Sequence, residues 1–462
     1  MSPRVVRSVL AAFFCLSAGG IARADEVRHV VLVSIDGLRP EFYLDPRWPA
    51  PTLQRLAREG AHALAVRGVF PTVTYPSHVT LVTGARPGRH GVYSNTPFEE
   101  GGQTGRWFWE YEAIRVPTLF SALRDAGRET AAVSWPVTVG APITRNFFPE
   151  IWSLDRAAPP LAATRSATTP GLVAEVERAA TGVLDGRRWS MHNIGRDLLA
   201  GEAAAYLLER YRPALLAVHF VGVDHFAHEQ GREGPKVSRA VATADSALTL
   251  LLEAAERAGI ADRTAFVITG DHGFVDIHTQ INPNVWLVQA GLQEARPDRG
   301  DWKAAFLTSG ASALLRLRRP GDRQTLARVR RLLAGLPAGL RKSFRVLDRA
   351  ALDACGADRD APLALAAQPG YSFGRSNQGP ALGPTPILGT HGYFPDFPEI
   401  HTGFVGWGPG FRPGAVAPQI GLEDVAPLVA KLLDLRFDAP DGVAPVGLLA
   451  PPPRIPRSAR LY

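Results

Sequence analysis

The chain has 462 residues, 46% of them hydrophobic and 21% charged, a balance that allows an extensive buried core and excludes an intrinsically disordered chain. The formal charge of +7 comes almost wholly from arginine, lysine occurring only at positions 236, 303, 342 and 431. These basic residues are scattered among acids rather than gathered into a stripe, so specific nucleic-acid binding is not expected.

Residues 1–24 carry Arg4 and Arg7 ahead of an apolar run from Val9 to Leu16 and end on Ala22-Arg23-Ala24, the pattern of a secretory signal peptide cleaved before Asp25. The run is too short to serve comfortably as a membrane span, so no span is expected in the mature chain, and a secreted or periplasmic location follows. Of the two cysteines, Cys15 lies within the signal and Cys355 is left without a partner, so no internal disulfide is expected.

The first element is VRHVVLVSI, ending at Ile35, a short apolar run that reads as a buried strand with Asp36 at its carboxyl end. TLQRLAREG at 52–60 reads as a helix. The stretch FPTVTYPSH at 70–78 then changes from β-branched residues to a helix start, with Pro76 suited to the first turn and Gly84 to the stop. Thr74 therefore falls at a positive helix end, where it is either a simple cap or a hydroxyl facing an anion.

Further on, Trp107, Phe108, Trp109 and Tyr111 crowd a loop-like region and are candidates for a substrate-facing wall. Helix-then-strand units follow, with strands in ETAAVSW, ALLAVHFVGVD and TAFVITGDHG, the last two preceded by helices near 202–213 and 236–259. This alternation predicts an α/β fold, a mostly parallel sheet with helices on both faces. The rhythm changes over about 299–383, which reads as a smaller α+β insertion within a catalytic domain spanning 25–442. LEDVAPLVAKLLDL closes the domain, and 443–462 reads as a proline- and arginine-rich tail.

Acids and imidazoles recur where the strands end: Asp36, Asp224 with His228 four residues later, Asp271-His272, and His391. Ligands of open α/β sheets collect at the carboxyl rim, so these six residues are expected to converge. Carboxylate and imidazole donors without thiolate suit two Zn²⁺ ions, other divalent metals being possible, and six ligands divide into two sites of three. Such a pair can clamp an in-line displacement at phosphorus.

In SIDGLRP, FPTVTYPSH, TGARPGRHGVYSN, VDHFAHEQG, TGDHG and THGY, taken in that order, the chain resembles the nucleotide pyrophosphatase/phosphodiesterase family of the alkaline phosphatase superfamily. The resemblance implies an alkaline-phosphatase-like fold. It places one zinc on Asp36, Asp271 and His272 with Thr74 as fourth ligand, and the other on Asp224, His228 and His391. It makes Thr74 the nucleophile of a two-step reaction through a phosphothreonine-type intermediate, and gives the Asn95 amide a non-bridging phosphoryl oxygen to hold. Thr72, His78 and His90 read as structural. Ser77 and His219 depart from the family pattern, and His219 stands where relatives often carry a tyrosine against the nucleobase; with Asn95, Trp107 and Trp109 it is a candidate substrate contact.

The expected partner is a small-molecule phosphodiester or pyrophosphate. The alternatives are a phosphomonoesterase or phosphonate hydrolase using the same metals, and a metal-binding relative without turnover. The first of these is disfavoured because no lysine precedes Lys236 to meet a monoester dianion, and the second because nucleophile, amide donor and ligands are all present.

Overall fold

The computed structural model describes residues 27–451, so the expected signal peptide at 1–24 and the last residues of the expected tail lie outside it. A nine-stranded sheet organises the chain. Its central strand, His29–Ile35, is buried along almost its whole length and pairs in parallel with Leu215–Phe220 on one side and Thr264–Thr269 on the other. Thr130–Val133 and Arg145–Phe147 extend the parallel run. Beyond Thr264–Thr269, Thr402–Trp407 pairs antiparallel both with that strand and with Ala61–Arg67. The fully buried runs LLAVHF and TAFVIT are what a sheet covered on both faces requires.

Helices shield both faces. Arg196–Tyr211 and Pro235–Arg257 pack together over one face, burying Leu207, Leu208, Leu248 and Leu251 against Val31, Val33 and Val218. Val425–Leu432 covers the other, where Leu428 and Val429 meet Leu32, Ala217 and Val267. The expected α/β architecture is the one observed.

A second, antiparallel sheet in the order Phe344–Asp348, Leu363–Ala367, Ser312–Leu317, Ala304–Ser309 carries the helix Arg323–Ala334, while Gly370–Phe373 and Leu382–Pro384 pair with Val275–Ile281 in a separate sheet. The second sheet reaches back to the site, because the Ala311 N–H donates to the His391 carbonyl at 2.8 Å. The chain end differs from expectation. Val446–Leu448 form a 3₁₀ turn, Leu448 is buried, and Leu449 bridges to Phe411, so apolar side chains dock this segment well past residue 443.

Candidate metal centre

Three neighbouring strands deliver the site. Asp36 directly follows His29–Ile35 and Asp271 follows Thr264–Thr269. Asp224 is not at a strand end as expected: the strand stops at Phe220, and Asp224 sits in the first turn of the helix Gly222–Gln230. The Asp197 carboxylate starts that helix by accepting from the N–H groups of Val221 and Gly222 at 3.0 and 2.8 Å. A Cβ at Gly222 would come within 2.8 Å of the same carboxylate, so a larger residue there would push Asp197 off the helix start. One turn later His228 lies on the face of Asp224, their side chains 3.4 Å apart.

His391 arrives from the far end of the chain and is tied down by its Nδ1, 3.1 Å from the Thr72 carbonyl. The Thr72 hydroxyl donates to the Tyr393 carbonyl and accepts from the Gly392 N–H, so Thr72 anchors the loop that presents His391.

Two triads result, Asp36–Asp271–His272 and Asp224–His228–His391. Within the first, His272 Nε2 is 3.3 Å from Asp36 Oδ1 and 3.2 Å from Asp271 Oδ2. Within the second, Nε2 of both His228 and His391 is 3.4 Å from Asp224 Oδ1. A tetrahedron built on metal bonds of about 2.0–2.1 Å has edges of about 3.3 Å, so these spacings fit two first-row divalent ions.

The outer hydrogen bonds agree with that fit. Asp271 Oδ1 accepts from the N–H groups of Gly37 and His272, while Oδ2 is buried without a hydrogen-bond partner. Asp36 Oδ2 faces His219 Nε2 at 3.1 Å, and its Oδ1 is likewise unpartnered, as are Asp224 Oδ1 and His272 Nε2. The Nδ1 atoms of His228, His272 and His391 each lie 2.8–3.1 Å from a backbone carbonyl, which fixes the tautomer with the Nε2 lone pair facing the triad. Buried atoms that can only accept, converging without a donor, call for a cation.

Without a cation, burial and the neighbouring Asp224 and Asp271 charges push the Asp36 carboxyl well above its usual range, and burial brings Asp271 up to about 7. Burial lowers His391 to about 4 and carries His272 down as well, so both imidazoles are neutral and able to ligate at neutral pH.

Thr74 opens the helix Thr74–Thr83 as its first residue, the cap position being Val73, and the helix has no side-chain cap hydrogen bond. The Thr74 hydroxyl is therefore not consumed as a cap. The Tyr75 N–H donates to Asn95 Oδ1 at 2.9 Å, which orients the amide and leaves Nδ2 as its donor. His78 and His90 are fully buried, with His78 Nδ1 2.8 Å from the Thr74 carbonyl and His90 Nε2 3.2 Å from the Thr80 hydroxyl, arrangements that hold this helix.

Thr74, Asp36 and Asp224 open onto one cavity of about 580 Å³. Its walls are largely apolar and aromatic, from Trp107, Phe148, Ile151, Trp152, Trp189 and Met191. Trp107 packs edge-on against both Tyr75 and Trp152. Trp109 differs from expectation: it is buried against Trp152 in the layer behind.

His219 borders the cavity, but both its ring nitrogens are engaged, Nε2 by Asp36 and Nδ1 by Glu150 Oε1 at 3.0 Å. Although burial opposes a charge there, Glu150 and Asp36 raise the ring to about 10, so it bridges two carboxylates rather than offering a flat face to a base. Glu150, Trp152 and Trp189 carry no motif in the sequence, and only the fold brings them here.

The family described as type I phosphodiesterase / nucleotide pyrophosphatase matches residues 30–394. The chain belongs to this family. Among relatives of this phosphodiesterase family, ectonucleotide pyrophosphatase/phosphodiesterase family member 3 of Mus musculus is 23% identical over 53% of this chain and 24% of its own length. A pyrophosphatase/phosphodiesterase of Schizosaccharomyces pombe is 26% identical over 59% of this chain and 50% of its own. The human bis(5'-adenosyl)-triphosphatase is 31% identical over 24% and 25%. The chain thus spans a quarter to a half of the length of these relatives.

Human ectonucleotide pyrophosphatase/phosphodiesterase 5 shares the fold with a TM-score of 0.66, at 19% identity, over 91% of this chain and 99% of that one. The murine counterpart, solved as an inactive threonine-to-alanine variant in complex with AMP, superposes with a TM-score of 0.65 at 19% identity, over 92% of this chain and all of that one.

Proposed function

We propose that this phosphodiesterase-family chain is a secreted or periplasmic hydrolase of nucleotide or related phosphodiester and pyrophosphate bonds, with Thr74 as nucleophile and a Zn²⁺ ion at each triad. The observation that carries the reading is the shared cavity: an uncommitted hydroxyl at a helix N-terminus opens onto the same space as Asp36 of one triad and Asp224 of the other. The AMP bound by the murine relative supports a small nucleotide-like ligand. Among the described residues no helix is long and apolar enough to cross a membrane.

When bound, two divalent ions supply charge neutralisation at the phosphoryl group and acidify a hydroxyl and a water. The protein does the rest. The hydroxyl oxygen of Thr74 attacks phosphorus in line with the departing alkoxide, giving a phosphothreonine-type ester that water then hydrolyses. Asn95 Nδ2 donates to a non-bridging oxygen as negative charge grows there, its orientation fixed by Tyr75. The aromatic wall receives the apolar part of the substrate and excludes water.

Asn95→Ala is expected to lower kcat by about 10²–10³-fold, the usual cost of an oxyanion donor, with KM for a diester changed much less. A rise in KM with kcat unchanged would give Asn95 a ground-state binding role instead. The reading itself is tested by acid-quenching turnover of a radiolabelled diester and mapping the label. It is expected on the peptide containing Thr74; label on another residue refutes this nucleophile.

A further inference from the structure

A separate group of imidazole and carboxylate side chains lies outside both triads. His225 and Glu229 sit one turn apart on Gly222–Gln230, the helix that also bears Asp224 and His228. His192 meets them from the loop before Arg196–Tyr211. His225 Nε2 is 3.0 Å from His192 Nδ1 and 3.2 Å from Glu229 Oε1, and His192 Nδ1 is 3.2 Å from the same oxygen.

With Glu229 ionised, as the Lys236 ammonium on its other oxygen favours, no arrangement of protons satisfies this triangle. If both imidazole nitrogens carry hydrogen they donate to Glu229 but oppose each other; if only one does, a bare nitrogen faces an acceptor along another edge. A cation at the centre takes a lone pair from all three. Bonds of about 2.0–2.1 Å give ligand separations of about 2.9 Å for right-angled pairs and 3.3 Å for tetrahedral ones, which bracket the observed edges.

We propose that His192, His225 and Glu229 form a third, exchangeable divalent-metal site at the rim of the cavity. Two imidazoles and one carboxylate select Zn²⁺ and neighbouring late first-row ions over Mg²⁺ or Ca²⁺. The His192 side chain is 76% exposed, and Lys236 holds the other Glu229 oxygen at 2.9 Å with a positive charge close by. Both features make this ion weaker and faster to exchange than those of the two less exposed triads. Its position has a consequence: Trp189 and Met191, on the His192 loop, line the cavity, so an ion here staples that wall to the helix carrying Asp224 and His228.

The test titrates the holoprotein, after dialysis, with Zn²⁺ and with Co²⁺, comparing wild type with His192→Ala and Glu229→Gln and counting bound metal by elemental analysis. Wild type is expected to take up one more equivalent than His192→Ala, with a Co²⁺ absorption band that the variant lacks and a rise in Tm on adding Zn²⁺ that the variant loses. Glu229→Gln is expected to weaken this last equivalent at least tenfold. Equal uptake by wild type and His192→Ala overturns the proposal, as does loss of tightly held metal in that variant. Because the readout is a difference between two proteins, it does not depend on how many ions the triads hold or on whether Thr74 is the nucleophile.

Discussion

Thr74→Ala is expected to abolish turnover, by on the order of 10⁴-fold or more, while leaving the bound metal and the fold unchanged. That loss corresponds to about 5.5 kcal/mol of transition-state stabilisation. The expectation rests on the hydroxyl having no structural duty. The helix Thr74–Thr83 is capped from Val73 without a side-chain bond, it is buried all round with Tyr75, Val79, Leu81 and Val82 supplying apolar packing, and Gly84 ends it in a left-handed conformation at φ 61°. Steady-state rates together with metal analysis check it. A variant that keeps a tenth of the activity moves the nucleophile elsewhere, and one that loses metal makes Thr74 a determinant of the site's assembly instead.

His391→Ala has the next largest expected effect, removal of about one metal equivalent and a loss of activity comparable to that of Thr74→Ala. Two of the three donors would remain, Asp224 and His228, with Asp224 Oδ1 still buried and lacking the second imidazole that faces it at 3.4 Å. Elemental analysis after dialysis checks this, and unchanged stoichiometry would break the division into two triads.

Metal removal from the wild type adds a pH signature. Asp271, raised by burial to about 7, binds a proton in the stripped fold that the unfolded chain gives up near the ordinary carboxylate pKa of about 4. In the stripped protein this group's contribution to stability is therefore lost as pH rises from about 4 to 7, while His391, lowered by burial to about 4, works in the opposite direction over the same rise. The Tm of the stripped wild type minus that of stripped Asp271→Asn is therefore expected to fall as pH rises from about 4 to 7, and a difference that grows with pH would contradict it.

Much of the site is legible before folding because its chemistry sits in short local patterns. TGDHG places Asp271 and His272 side by side, VDHFAH places Asp224 and His228 one helical turn apart, and the passage from TVT to YPSH marks the helix start at Thr74. The central strands are equally legible, since runs buried on both faces leave an uninterrupted apolar signature.

What escapes the sequence depends on long-range pairing. Asp36 meets His219 across 183 positions and Glu150 meets His219 across 69, so the bridge that orients the Asp36 carboxylate has no local trace. The same holds for Asp197, whose carboxylate starts the helix of Asp224 from 25 residues upstream of Gly222. Trp109 departs from expectation because aromatic clustering reports a wall but not which ring faces inward: Trp107 borders the cavity and Trp109 packs behind it. The chain end at Val446–Leu449 escapes because two or three apolar residues among prolines are too few to show a period.

Together, the two triads, Thr74 and the aromatic cavity are expected to make a diester hydrolase. The most direct test is the hydrolysis by zinc-loaded protein of a phosphodiester and a phosphomonoester that share one nitrophenol leaving group. With the neutral Asn95 amide rather than a cationic side chain expected at the non-bridging oxygen, kcat/KM for the diester is expected to be at least a hundredfold above that for the monoester. Preference for the monoester would contradict it, and would mean that a cationic group at the cavity, of which Arg196 is one, holds a dianion instead.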